Sequence, residues 1–146
     1  MAVYRQQPYG NARFEVEIPS VSHTGFLIVQ VPDLLVDQTG YREGDGKVLS
    51  STPVAKRPAF SPLVLKRGFH GDLDLYNWWK EAADTPAGGA RDLLVKLLSE
   101  DASGVVVTWR ITGALPVRYG FAPLDAQDGG PLVEVIEAAC RDVTMS

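Results

Sequence analysis

The residues of this chain whose types could do chemistry are two histidines, one cysteine, a GDGK run, a few serines and several carboxylate pairs. His23 and His70 lie far apart, each in a loop-like stretch, and neither belongs to an HxH or HExxH pattern, so their spacing supports no metal site. Cys140 stands among apolar neighbours, with Arg141 the one positive charge beside it. A reactive thiolate needs exposure and a nearby cation, so Cys140 reads as a small core residue, and a hydrolase built on it is the weaker alternative. Gly44-Asp45-Gly46-Lys47 lacks the spacing of a Walker loop and does not precede a helix. Ser61, Ser99 and Ser103 have no nucleophile-elbow context. The pairs Glu15/Glu17 and Glu134/Glu137 are expected on strand faces, with no sign of desolvation. The pairs Lys56-Arg57 and Lys66-Arg67 are expected on a solvated face rather than along a phosphate track. Trp78-Trp79 could stack a ligand, yet with Leu75 and Ala82 they fall at helical spacing and belong in a core or an interface. No catalytic residue, metal site or cofactor site emerges, and the chain is not expected to be an enzyme.

A length of 146 residues suits a single domain, 1–146, with a sizeable core, and 45% hydrophobic against 22% charged residues argues for a globular fold. The net charge of −4 gives no overall basic footprint for nucleic acid. No run approaches the ~20 apolar residues of a membrane span, so no membrane insertion is expected. The N-terminus, MAVYRQQPYGNARFEVEI, lacks the apolar core of a signal peptide, and a single cysteine excludes an internal disulfide framework; synthesis in a cytosol is the expectation.

One helix stands out among β-patterned segments. Leu75, Trp78, Trp79 and Ala82 fall at i, i+3, i+4 and i+7, Asp72 and Asp74 suit its N-terminus, and Asp84-Thr85-Pro86 stops it. It follows a strand ending in Leu65-Lys66-Arg67-Gly68. Upstream, Arg13–Ile18 alternates as a half-buried strand, Phe26–Val31 reads as a second strand, and Leu34–Gln38 resumes the pattern after Pro32-Asp33. Residues 39–62 are irregular and longer than a passive turn, which makes them a candidate binding arm, with a surface excursion as the alternative. Downstream, Thr85–Ala90 reads as a flexible connector. Arg91–Ser99 and the strand bearing Val105, Val107, Trp109 and Ile111 form a hairpin around Glu100–Gly104. Ala114–Tyr119 is expected as a separate short strand broken by Pro116, and Leu132–Cys140 as the last strand. The sum is a mainly β fold, a barrel or sandwich of about seven or eight strands with one flanking helix.

In order along the chain, Pro8-Tyr9-Gly10-Asn11 before FEVEI, Gly25-Phe26 running to Leu34, Tyr41-Arg42-Glu43-Gly44, Leu65-Lys66-Arg67-Gly68, the Leu75–Trp79 helix, Ala114–Tyr119 and Val133–Glu137 resemble the tail tube family of contractile phages and contractile injection systems, the tube counterpart of the Hcp fold. The matching segments span residues 8 to about 142. This resemblance implies hexameric rings stacked into a hollow inner tube inside a sheath. The implied partners are other copies of the chain, the sheath protein, baseplate or spike proteins, tube-capping proteins and translocated cargo. It also implies an assembly interface at Tyr41, Arg42, Glu43, Lys66, Arg67, Trp78 and Trp79. The net charge of −4, for its part, would suit a lumen that lets anionic cargo pass without sticking.

One segment departs from the family. Between YREG and LKRG the family usually has an LPGL-type segment, where this chain has Val54-Ala55-Lys56-Arg57-Pro58-Ala59-Phe60. A tube-initiator or baseplate-proximal paralogue, and a monomeric β-barrel binding module, therefore stand beside the main tube subunit as alternatives.

Overall fold

The alternation read in FEVE is realised in β1 (Phe14–Glu17), where Val16 is buried and both glutamates face solvent. The computed structural model describes residues 5–22, 25–37 and 57–146. Its further elements are β2 (Ile28–Gln30), β3 (Leu34–Asp37), β4 (Arg57–Phe60), β5 (Leu63–Gly68), α1 (Asp74–Asp84), α2 (Pro86–Gly89), β6 (Arg91–Leu98), β7 (Val105–Phe121), β8 (Val133–Ala139) and β9 (Asp142–Met145). Among the described residues there are thus nine strands and two helices.

All pairings are antiparallel, and seven strands form one sheet in the order β1-β6-β7-β8-β5-β2, with β9 also on β7. The 17-residue β7 organises it. Its first half lies between β6 and β9, and its second half, Leu115–Phe121, pairs with β8. The change of neighbour falls at Gly113, where φ is +64°. Thr112 and Gly113 together lie opposite Asp92, whose carboxylate accepts the Gly113 N–H at 2.9 Å. That is a β-bulge with glycine in the left-handed region, the conformation a Cβ would strain. The bend folds the sheet into two layers, β1-β6-β7-β9 and β7-β8-β5-β2. Val16, Leu93, Val95, Ile111 and Val143 of the first layer share one core with Leu63, Leu65, Ile136 and Ala138 of the second.

Pro116 does not end a strand, as its type suggested; β7 runs through it. A proline removes a backbone donor, and it is tolerated here beside a register shift between Pro116 and Arg118, on a strand whose other edge carries no partner at this point. The closing strand is likewise two: β8 ends at Ala139, and the chain turns at Cys140-Arg141 to pair again as β9 against Trp109–Thr112.

Helix α1 buries Leu75, Trp78 and Ala82 on the predicted face. The TPAGGA segment is not a flexible connector. Pro86, pre-set for a first helical position, opens α2, and Gly89 is packed so closely on α1 that a Cβ there would stand 2.4 Å from the Ala82 Cα. The turn from β6 to β7 is set by Asp101, which accepts bonds from the Ser99 and Ser103 hydroxyls at 2.7 Å and whose carboxyl those bonds hold down at about 2.

Candidate assembly surfaces

Strand β5 alternates strictly, with Leu63, Leu65 and Arg67 on the buried face. The alternation carries the Arg67 guanidinium into the protein, where it is 3% exposed, directly opposite Glu134 of β8, which is 0% exposed. Arg67 Nε donates to Glu134 Oε1 at 2.5 Å, and a second guanidinium nitrogen pairs with the Asp74 carboxylate in the first turn of α1. The Tyr119 hydroxyl of β7 donates to Glu134 Oε2 at 2.6 Å. Burial alone would lower the Arg67 pKa, but the bonds to Asp74 and Glu134 outweigh it and hold the pKa above its ordinary value. Burial, reinforced by the bond to the Glu134 carboxylate, pushes the Tyr119 phenol well above its usual range. Four side chains thus tie β5, β7, β8 and α1 together. The expectation of a solvated Lys66-Arg67 pair fails for Arg67, and that of an undesolvated Glu134 fails as well. Each charge enters the core because the other satisfies it.

Of the two tryptophans, Trp78 is 0% exposed, with its indole N–H bonded to the Gly89 carbonyl at 2.7 Å and Arg91 lying over its ring at 5.1 Å. Trp79 is only partly buried and begins an aromatic ridge. Its ring stacks on Tyr76 at 6.3 Å, Tyr76 meets Tyr119 at 5.8 Å, Tyr119 meets Phe121 at 5.6 Å, and Phe121 meets Phe69 at 5.6 Å. Tyr76 and Phe121 keep a large part of their surface exposed. Aromatic side chains are enriched in protein interfaces relative to the rest of a protein surface.

Two further features stand ready for pairing. Strands β3 and β4 form a separate two-stranded ribbon, Leu34↔Phe60 to Asp37↔Arg57. The last part of the segment expected to be irregular is therefore a strand. Along this ribbon Leu34, Leu35 and Val36 are 60%, 50% and 54% exposed, so among the described residues it shows apolar side chains to solvent on both faces, while Phe60 packs against the core. The layer β7-β8-β5-β2 is also open at both edges among the described residues. β2 ends it on one side, and on the other β6 pairs with β7 no further than Ala114, leaving Leu115–Phe121 without a second strand. Unpaired strand edges are templates for another chain.

Lys66, on the central strand β5, points to the opposite face from Arg67, toward solvent. Tyr41, Arg42 and Glu43 lie outside the described residues, as do His23 and the GDGK run. The structure therefore brings Arg67 and Trp78 into the subunit interior and leaves Lys66 and Trp79 at its surface. Glu134 reads from sequence only as a strand-face carboxylate, since its partner on β5 alone explains its burial, and the open edge of β7 is hidden when the strand is read as two. Cys140 is half-buried, its Sγ 3.5 Å from the Ala138 carbonyl, and burial pushes its thiol up, away from the reactive thiolate. Among the described residues no three His, Cys, Asp or Glu side chains gather as a metal site, and no helix is long and apolar enough to cross a membrane.

Two packed antiparallel layers flanked by α1 and α2, with open edges and an apolar ribbon, make an Hcp-like fold. Residues 10–144 match the family described as T4-like virus tail tube protein gp19, and the chain belongs to that family. It is a structural tube subunit of a contractile phage tail or injection system. Its fold is similar to that of a chain in the cryo-EM structure of the anti-feeding prophage baseplate, with a TM-score of 0.72 and 22% identity over 97% of each chain. A chain of the sheath-tube complex of the PVC extracellular contractile injection system gives a TM-score of 0.69 at 21% identity, over 97% of this chain and 93% of that one. Hcp1 from Flavobacterium johnsoniae gives 0.62 at 16% identity, over 91% and 94%. No curated protein matches the chain.

Proposed function

We propose that copies of this chain, each folded as one domain, join into rings of six that stack head to tail into a hollow tube, a non-enzymatic conduit for cargo inside a sheath. The observation that carries the reading is the pair of open edges on one layer. The edge of β2 in one subunit pairs with the Leu115–Phe121 edge of β7 in the next, and repetition closes a continuous sheet around the axis. The count of six rests on the family and on the six-fold symmetrised baseplate whose chain shares this fold. The ribbon β3-β4, with the arm at about 39–62 that contains Tyr41, Arg42 and Glu43, reaches the neighbouring ring, because a two-stranded ribbon with both faces exposed is marginal alone. Trp79 and the aromatic ridge meet another copy or the sheath. Arg67 and Trp78 act from inside by fixing α1, and Lys66 acts from an open face. Sheath and capping proteins are the partners named in the sheath-tube and tube-cap structures of similar fold. Baseplate or spike proteins and cargo complete the set, and the particle assembles in the cytosol that makes the chain.

A second reading, a tube-initiator or baseplate-proximal paralogue, is favoured by the Val54–Phe60 departure and by the likeness to a chain of the anti-feeding prophage baseplate. Negative-stain microscopy and sizing chromatography of the purified protein separate the readings. Long tubes support the main subunit, rings that never extend support the initiator, and a clean monomer at high concentration leaves only a ligand-binding barrel.

A further inference from the structure

The register of the layer β7-β8-β5-β2 sorts its side chains onto two faces. Leu65, Arg67, Glu134 and Ile136 point inward, against the other layer and α1. On the opposite face Ile28 lies beside Lys66 and Val135, and Gln30 beside Val64, Glu137 and Arg118. Among the described residues no other element packs over this second face, on which Ile28 and Gln30 are exposed, Val64, Lys66 and Glu137 keep part of their surface accessible, and Val135 is closed in by its neighbours. When its edges join into a closed ring, the bulky side of the subunit, with the second layer and α1, must lie outside, because a wedge packs around an axis with its thick end outward. The bare face then becomes the wall of the channel. This step rests on the ring reading given above.

The charge of that wall differs from that of the chain. The subunit carries −4 overall, yet the described residues on this face supply two cations, Lys66 and Arg118, against one carboxylate, Glu137. Arg118 and Glu137 neutralise each other in an ion pair at 2.5 Å. Lys66 has no acidic group within ion-pair distance among the described residues, and it borders a shallow hollow of about 340 Å³ with Val64, Arg118, Phe121, Val133, Val135 and Glu137. We propose that the channel wall is weakly cationic through one Lys66 per subunit, set among apolar side chains, and that it favours polypeptide cargo of acidic surface over basic cargo. Among the described residues, Glu15 and Glu17 are exposed on β1 of the other layer, and Glu81 and Asp84 on α1. Stacked rings repeat the lysine along the axis, and a charge lining a narrow passage acts more strongly than the same charge on an open surface.

Tubes verified by electron microscopy are sedimented with a fluorescent glutamate-rich peptide or a lysine-rich peptide of equal length at low salt. Wild-type tubes should retain the acidic peptide several-fold over the basic one, Lys66→Glu tubes should reverse the preference, and Lys80→Glu tubes, altered on the exposed side of α1, should behave as wild type. If Lys66→Glu does not assemble, Lys66→Gln takes its place and should abolish the preference. Intact tubes that favour the basic peptide, or whose preference survives change at Lys66, overturn the wall assignment while leaving the tube standing. Wild-type protein that forms neither rings nor tubes removes the ring reading and this one with it.

Discussion

The indole nitrogen of Trp78 donates a 2.7 Å hydrogen bond to the carbonyl of Gly89, joining the buried face of α1 to the short helix that follows it. The bond exists because Gly89 has no side chain. A Cβ would lie 2.7 Å from that of Ala82 and drive the two helices apart. A fixed α1 holds Tyr76 and Trp79 in the aromatic ridge, so the packing beneath the helix shapes the surface above it.

Gly89→Ala should destabilise the subunit by about 1–3 kcal/mol, the usual cost of forcing a group into a filled site. Trp78→Ala should cost more, about 3–5 kcal/mol. Trp79→Ala should cost clearly less than Trp78→Ala, because Trp79 is only partly buried. Urea unfolding of the three variants gives the order, and an equal loss at both tryptophans would contradict the assigned burial.

Removing Arg67 leaves the Glu134 and Asp74 carboxylates facing each other in the interior. Arg67→Met alone should therefore cost about 3–5 kcal/mol, whereas Arg67→Met with Glu134→Leu and Asp74→Leu should recover most of the loss. Thermal unfolding measures both. A triple variant no more stable than the single one would mean that the cluster contributes more than mutual neutralisation.

Tyr119 gives the fold an alkaline limit. Its folded pKa is raised above the ordinary 10.0, so its neutral form is favoured by folding. The stabilisation is complete below pH 10, and it declines as pH rises from there toward the folded value, because the unfolded chain has by then released its proton. Tyr119→Phe should flatten this fall between pH 10 and 12. In the wild type the last tyrosinate absorbance should appear only with unfolding; early ionisation of all tyrosines would place Tyr119 in water.

The ribbon should matter to assembly and not to the subunit. Replacing Leu34 by Asn and Val36 by Thr should shift stability by less than about 0.5 kcal/mol, since both side chains are already exposed. The same change, like deletion of Gly44 to Arg57, should block growth beyond single rings in electron micrographs. Long tubes from either variant would remove the ribbon from the ring-to-ring contact.

Local patterns were enough for much of this fold. The period of two in Arg13–Ile18, the turn Glu100–Gly104 between two apolar runs, and the i, i+3, i+4, i+7 set of α1 each encode an element within a few residues, because periodicity reports which face meets the core. The ordered motifs from Pro8 to Glu137 likewise carried the family.

What tertiary structure alone decided depends on residues distant in sequence. Arg67 and Glu134 are 67 positions apart, and each looks like a solvent-facing charge until β5 and β8 are in register; burial of an ion is a property of its partner. Pro116 breaks a strand in isolation but fits one at a bulge, where a ladder bond is not required. Net charge is a sum over the whole chain, whereas the charge a passing molecule meets depends on which face is bare. Strand alternation sets Lys66 and Arg67 on opposite faces, but only the packing of β5 against β8 and α1 decides that Arg67 is the one inside, and so separates the residue that holds the subunit together from the one proposed to face its cargo.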